Sequence, residues 1–282
     1  MLRRLAGALL TAVVLSVGVG GASAAGSISA DGDLPVWSPS GLQIAYVVRI
    51  HSLPRQDDRV MLMSASGTSR QVLAQFGRSV VVSDLQWAGN SRLIVALGAG
   101  GALCSIDVRT RRVVPLGPAI GGIGNGTCEQ RSGPLSLGAN DRFTVSDDGR
   151  RVAYVEDSPY ENDNTTTQGF RIDDFAIGVV SSVGGAGHML PEPIDASDTA
   201  PSFSPDGTQV VFARSFLTAG VASEPSLMTQ SVSGGQARPL HIEGDDPVWS
   251  PNGRWIVFQY RSQQTESRNF PDGLGIVGAS GG

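Results

Sequence analysis

Five copies of one hairpin pattern within 282 residues, a regular spacing between them, and 37 Gly with 16 Pro predict an all-β chain built as a β-propeller of four-stranded antiparallel blades. The clearest copy runs from Pro201 to Phe212, Pro-Ser-Phe-Ser-Pro-Asp-Gly-Thr-Gln-Val-Val-Phe. Phe203 ends a strand and Ser-Pro-Asp-Gly turns the chain, because Pro presets φ and Gly accepts positive φ. Val210 to Phe212 then begins the return strand. Related hairpins span Trp37–Tyr46, Val145–Tyr154 and Trp249–Phe258, and a more divergent one, with Ala88-Gly-Asn-Ser91 at the turn, spans Trp87–Ala96. The aromatic position recurs at Trp37, Trp87, Val145, Phe203 and Trp249, at spacings of 50, 58, 58 and 46 residues. A period of that size filled with strands matches one propeller blade.

Each first hairpin is followed by a second, which completes the blade. Arg59–Gly67 leads to Gln71–Ala74, Ala102–Asp107 to Arg112–Leu116, Phe175–Gly185 to His188–Leu190, and Ser226–Gly235 to Ala237–Leu240. Blades are expected to start near residues 33, 84, 141, 199 and 245. The last copy supplies Leu274–Gly282 as a third strand and a turn, with no fourth strand after it. Two readings stand: Gly26 to Asp33 closes the ring as that strand, or the sequence is truncated.

Residues 1–25 read as an export signal. Arg3-Arg4 precede an apolar run from Leu5 to Val19, and Ala22-Ser-Ala24 offers a small-residue cleavage site. The propeller then occupies 26–282, outside the cytoplasm, in the periplasm or secreted, with no membrane span after cleavage. There Cys104 and Cys128, the only two cysteines, are expected to form a disulfide worth roughly 3 kcal/mol. A hydrophobic fraction of 40% with 17% charged residues fits a folded core. The net charge of −5 excludes a phosphate-tracking nucleic-acid binder, which needs clustered cations.

The Trp-Ser-Pro-x-Gly-x-x-Ile-Ala-Tyr pattern, as at Trp37 to Tyr46, with Ser-x-Gly-Gly turns downstream, resembles the TolB-type, WD40-like β-propeller repeat over residues 30–282. The resemblance implies a periplasmic or secreted propeller that binds other proteins or ligands on one face. It does not extend to TolB itself, whose propeller follows a small α/β domain. Similar repeats occur in prolyl-oligopeptidase-like peptidases and some polysaccharide lyases, so fold alone leaves function open.

The residues point away from catalysis. No Gly-x-Ser-x-Gly elbow is present, and Gly133–Gly138 has the wrong spacing. His51, His188 and His241 occupy no common blade position and form no metal-ligand motif. No cofactor is expected. Calcium is kept open at the oxygen-rich stretch Glu156-Asp157, Glu161–Asn164 and Asp173-Asp174, although it does not match the Asp-x-Asp-x-Asp-Gly loop and a solvated acidic insertion is the simpler reading. Aspartates recur before the inner strands, at Asp33, Asp84, Asp141, Asp198 and Asp245. They are expected either to cap their own backbone or to form an acidic rim that binds a cationic segment or a cation. Trp37, Trp87, Phe203 and Trp249 are expected in the core between blades, at about 1.5–3 kcal/mol per buried ring. The expectation is a monomeric, non-catalytic module that binds an extracytoplasmic protein or small ligand. The alternatives are a channel-mouth lyase or glycan hydrolase, and a fragment of a longer sensor or peptidase.

Overall fold

A computed structural model describes residues 29–52, 55–76, 80–97, 102–116, 128, 143–157, 175–218, 221–260 and 273–281. Blade one comprises β1 (Ser29–Trp37), β2 (Gln43–Ser52), β3 (Arg55–Ser64) and β4 (Gln71–Gln75), antiparallel and paired in that order. Blade two repeats this with β5 (Val82–Ala88), β6 (Arg92–Leu97), β7 (Ala102–Asp107) and β8 (Val113–Leu116). Blade three has β9 (Phe143–Val145), β10 (Arg151–Asp157), β11 (Phe175–Ser181) and β12 (His188–Met189). Blade four has β13 (Ala196–Phe203) and β14 (Gln209–Thr218), the short β15 (Val221–Ala222) paired to the end of β14, then β16 (Ser226–Ser231) and β17 (Arg238–Glu243). Blade five shows three strands, β18 (Asp245–Trp249), β19 (Trp255–Tyr260) and β20 (Gly273–Gly278).

The expected closure by the N-terminal segment is corrected within the described residues. Ser29 to Asp33 pair with His51 to Val47 and so extend the inner strand of blade one. A bulge between Asp33 and Val36 lets β1 continue along β2. Pairing inside its own hairpin closes a far shorter loop than reaching across to β20.

Alternation along each strand gives every blade two faces, and consecutive blades bury the faces that meet. Val47 and Leu62 of blade one pack with Leu85 and Trp87 of blade two, and Ile94 and Ala96 of blade two with Tyr154 and Val180 of blade three. Ile177 and Val179 of blade three meet Phe212 and Met228 of blade four, whose Val211 and Leu227 meet Ile256 and Phe258 of blade five. Five blades thus share four interblade cores. Among the described residues no buried cluster joins blade five to blade one.

The repeated turn has one construction. In blade four the Ser204 N–H donates to Gln209 O at 2.9 Å, Gly207 N–H to Ser204 O at 2.8 Å, and Gln209 N–H to the Ser204 hydroxyl at 3.0 Å. Gly207 takes φ +67°, which its missing Cβ permits. Ser38, Ser146 and Ser250 build the same loop in blades one, three and five. Gly149 adds a packing demand: a Cβ there would fall on the backbone nitrogen of Gly89 in the next turn. The divergent blade-two turn has no such serine, and its Asn90 Oδ1 instead accepts the Ser40 N–H of blade one at 2.8 Å.

The turn aspartates carry an acid sensitivity. Asp206 Oδ1 accepts the Ser204 hydroxyl at 2.6 Å and the Thr208 N–H at 3.0 Å, and these bonds hold its carboxyl below the ordinary value of 3.8. At Asp148 burial raises the pKa, but the Ser146 hydroxyl and the Arg150 N–H outweigh it and the net direction is down. A depressed folded pKa gives stability that is present above the unfolded value and lost as pH falls through the folded one. Asp206→Asn should therefore lower the thermal midpoint near pH 7, where the parent carboxylate is ionised and bonded, and flatten the decline below about pH 4. An acid limb identical to that of the parent chain refutes this.

Candidate functional site

The inner strands of all five blades, β1, β5, β9, β13 and β18, surround one channel of about 1620 Å³. Its polar side chains include Gln86, Thr144, Ser202 and Gln259, set among Val36, Val145 and Val248. Gln86 Nε2 donates to Phe143 O and Asp84 Oδ2, both at 3.2 Å, and so ties blade two to blade three. Two carboxylates line the channel, Asp147 from a blade-three turn and Asp246 from the bulge of β18. No Arg or His of the described residues lines it.

Three of the recurrent aspartates, Asp33, Asp84 and Asp245, prove to be bulge residues. Asp33 Oδ1 accepts the Leu34 N–H at 2.8 Å, Asp84 Oδ1 the Leu85 N–H at 2.6 Å, and Asp245 Oδ1 the Asp246 N–H at 2.9 Å. Leu34, Ala200 and Asp246 hold φ of +51°, +51° and +47° at these kinks, where the inner strands change register. A carboxylate locking the following N–H is the self-capping reading of these positions. Asp141 lies outside the described residues.

Two of these acids are also paired with an arginine sixteen residues on. Arg49 reaches Asp33 at 2.9 Å, and on its other side lies 3.8 Å from the buried Asp58 and donates to Val82 O of blade two at 3.2 Å. Arg214 grips Asp198 through two bonds of 2.6 Å, with Asp198 1% and Arg214 3% exposed. The Arg214 guanidinium also lies 5.2 Å over the Phe212 ring. Burial pushes the Asp198 carboxyl up, against the pull of Arg214. The acidic-rim expectation is therefore corrected at Asp198: a buried, neutralised carboxylate offers no surface charge. The signal was in the sequence as the Asp33/Arg49 and Asp198/Arg214 spacing, repeated by Asp245 and Arg261, the last outside the described residues. Asp58 carried no comparable signal.

The aromatic positions divide. Trp87 and Phe203 are buried and Trp249 half-buried, each packed against the blade before it, and Trp87 Nε1 donates to Val36 O of blade one at 3.1 Å. Trp37 is 59% exposed, which corrects the expectation of a core role. The blade that would cover it is blade five, and among the described residues no buried cluster forms there. Trp255 is also exposed.

Cys104 and Cys128 are joined by a disulfide with Cα atoms 5.9 Å apart. It anchors the segment after blade two to the buried face of β7. His188 Nε2 meets Val232 O of blade four at 2.8 Å, and His241 is exposed on β17. The side chain of His51, the oxygen-rich stretch from Glu156 to Asp174, and the Gly133–Gly138 segment fall outside the described side chains. No group of three or more His, Cys, Asp or Glu that could hold a metal occurs among the described residues. No helix among them is long and apolar enough to cross a membrane.

Neither a family model nor a curated protein sequence matches the chain. Solved structures do. The acylaminoacyl peptidase of Pyrococcus horikoshii superposes with a TM-score of 0.53 at 11% identity, over 84% of this chain and 36% of that one. The β-propeller domain of the Trilobed protease from Pyrococcus furiosus gives 0.50 at 10% identity, over 83% and 65%. The chain folds as a β-propeller. It spans about a third of the length of that peptidase. A putative TolB from Agrobacterium tumefaciens aligns with a TM-score of 0.42 at 15% identity, over 79% of this chain and 87% of that one. The propeller anticipated from the hairpin sequences is thus present, with the repeat that suggested it in four of the five blades built on the same serine-anchored turn.

Proposed function

We propose that this chain is an exported, non-catalytic β-propeller whose central channel receives a cationic segment of another extracytoplasmic protein. The observation that carries the reading is the channel lining: neutral and apolar side chains, two carboxylates, and neither arginine nor histidine among the described residues. General acid–base chemistry needs titratable groups placed together on a reacting atom, and a lining of this kind serves recognition instead. Asp147 and Asp246 supply the negative potential, and Gln86, Thr144, Ser202 and Gln259 supply neutral hydrogen-bonding groups for a backbone. Export is supported by the Arg3-Arg4, Leu5–Val19, Ala22-Ser-Ala24 leader pattern and by the Cys104–Cys128 disulfide, which persists in an oxidising compartment.

The test is capture from the extracytoplasmic fraction with the parent chain and with an Asp147→Asn/Asp246→Asn variant as baits, each with and without calcium. Asn keeps the shape of both side chains and tolerates the positive φ at position 246. A partner retained by the parent and lost from the variant is the expected result. Retention of the same partners by both baits, or by neither, overturns the channel as the binding site. Retention that depends on calcium makes the cation, not the segment, the group these carboxylates hold.

A further inference from the structure

The turn that joins the third and fourth strands is charged in two blades and neutral in two others. In blade one it ends at Arg70, and in blade two it carries Arg109, Arg111 and Arg112, whereas residues 182–187 and 232–237 of blades three and four include no charged side chain. The two arginine turns adjoin. Arg111 Nη2 donates to Gln71 Oε1 at 3.0 Å, one residue beyond Arg70. All four arginines are exposed, and none is paired with a carboxylate among the described residues. Asp107, which opens the blade-two turn, is already occupied: its Oδ2 lies 3.3 Å from Arg92 and its Oδ1 accepts the Thr110 N–H at 2.8 Å. A chain of net charge −5 therefore gathers four unneutralised guanidinium groups at one place.

Beside them a groove of about 560 Å³ runs between blades one and two, lined by Leu42, Leu62 and Met63 with Ser64, Ser69 and Gln71. Its surface is mostly apolar, and Leu42 is 69% exposed. Arg70 stands between two of the lining residues, Ser69 and Gln71, and Arg111 is bonded to the second. At the matching seam between blades three and four, Arg151 crosses to Gly207 O at 2.6 Å. Blade one has the shorter, uncharged Gln43 at that position, five residues after the turn serine, and Gln43 lines the groove.

We propose that this groove and the arginine turns beside it dock an acidic peptide segment of a partner protein. An apolar side chain of the segment enters the groove, and carboxylates on either side of it pair with Arg70, Arg111 and their neighbours. The planar guanidinium fork matches a carboxylate with two parallel bonds. Both turns are built before the ligand arrives: the Ser64 N–H donates to Thr68 O and the Asp107 N–H to Arg112 O, each at 2.9 Å, so binding has little backbone left to order.

The rest of this end of the molecule decides between a peptide and a lipid surface. The two turns of each blade lie together, with the Ala65 N–H on Leu42 O at 2.9 Å in blade one and the Val232 N–H on Thr208 O at 3.0 Å in blade four. The exposed Asp147, Asp148 and Asp206 of blades three and four therefore stand at the same end as the arginines. A flat anionic membrane meets those carboxylates and is repelled. A single extended segment laid on blades one and two avoids them.

The experiment is calorimetric titration of the chain with the peptide acetyl-Glu-Glu-Leu-Glu-Glu-amide. Saturable binding with a dissociation constant below about 1 mM is expected at low ionic strength, weakening as salt is added. Arg70→Gln/Arg111→Gln should raise that constant by at least about tenfold. Arg109→Gln/Arg112→Gln, which removes no side-chain hydrogen bond among the described residues, should also raise it. All four positions are exposed, and an unchanged thermal midpoint checks that each variant folds. Exchanging the leucine of the peptide for serine should weaken binding by at least about threefold, because the groove then loses its apolar occupant. Asp147→Asn/Asp246→Asn should bind the acidic peptide as the parent does, so this result is independent of what the channel receives. No binding at about 1 mM peptide, equal binding by the arginine variants, or equal binding of the leucine and serine peptides overturns the proposal. Sedimentation of the chain with phosphatidylglycerol vesicles that requires Arg70 and Arg111, without binding of the peptide, assigns the arginines to a membrane surface and overturns it as well.

Discussion

Asp198→Ala should lower the stability of this protein by about 3–5 kcal/mol, the usual cost of stranding one half of a buried ion pair. The substitution removes little volume but leaves the Arg214 guanidinium 3% exposed, with its two strongest acceptors gone. The Phe212 face, 5.2 Å away, cannot replace them. Arg214→Met should cost a comparable amount by stranding the carboxylate. The double variant Asp198→Leu/Arg214→Met should recover most of the loss, because an apolar pair of similar volume needs no desolvation. Asp33→Ala is the contrast: half of that side chain faces water, so its removal should cost only about 0–1 kcal/mol. Urea unfolding midpoints of the four variants decide the matter. A single-variant loss at Asp198 below about 1 kcal/mol would mean that the pair is not desolvated.

The second large effect separates two tryptophans that the repeat treats as equivalent. Trp87→Ala should cost about 3–5 kcal/mol, from the buried indole and the cavity that it leaves between blades one and two. Trp87→Phe keeps most of the packing and removes the Nε1 bond to Val36 O, a loss of about 0.5–1.5 kcal/mol. Trp37→Ala should fall within about 0.5 kcal/mol of the parent, as surface substitutions do. Thermal unfolding followed by circular dichroism gives the ranking. Equal destabilisation at positions 37 and 87 would show that blade five covers Trp37 in solution.

How much was readable beforehand depends on the range of the interaction concerned. The hairpin turns were legible because Ser, Pro, Asp and Gly act on their own backbone within five residues, as at Ser204 to Gln209. The blade count followed from their spacing. Trp37 was misplaced because a repeat pattern reports what each copy would bury if it had a neighbour, and only the assembled ring shows which copy lacks one. The aspartates were found by position but misread in part. Their capping of the next N–H is local, whereas the Arg49 and Arg214 partners come from the next strand across, and the sixteen-residue spacing gains its meaning from the register that sets each pair side by side. The channel itself could not be read, since its lining joins residues as far apart as Val36 and Leu274.

Among the described residues, four cores among five blades leave the stack with two ends, so their cohesion is that of a short linear polymer of blades. Damage then has a polarity. A lesion at the junction of blades two and three cuts the stack into fragments that each retain little cohesion, whereas the same loss beside blade five merely trims one terminus. Tolerance to mutation should rise from the middle blades toward both extremities, with fraying at the tips and rigidity at the waist.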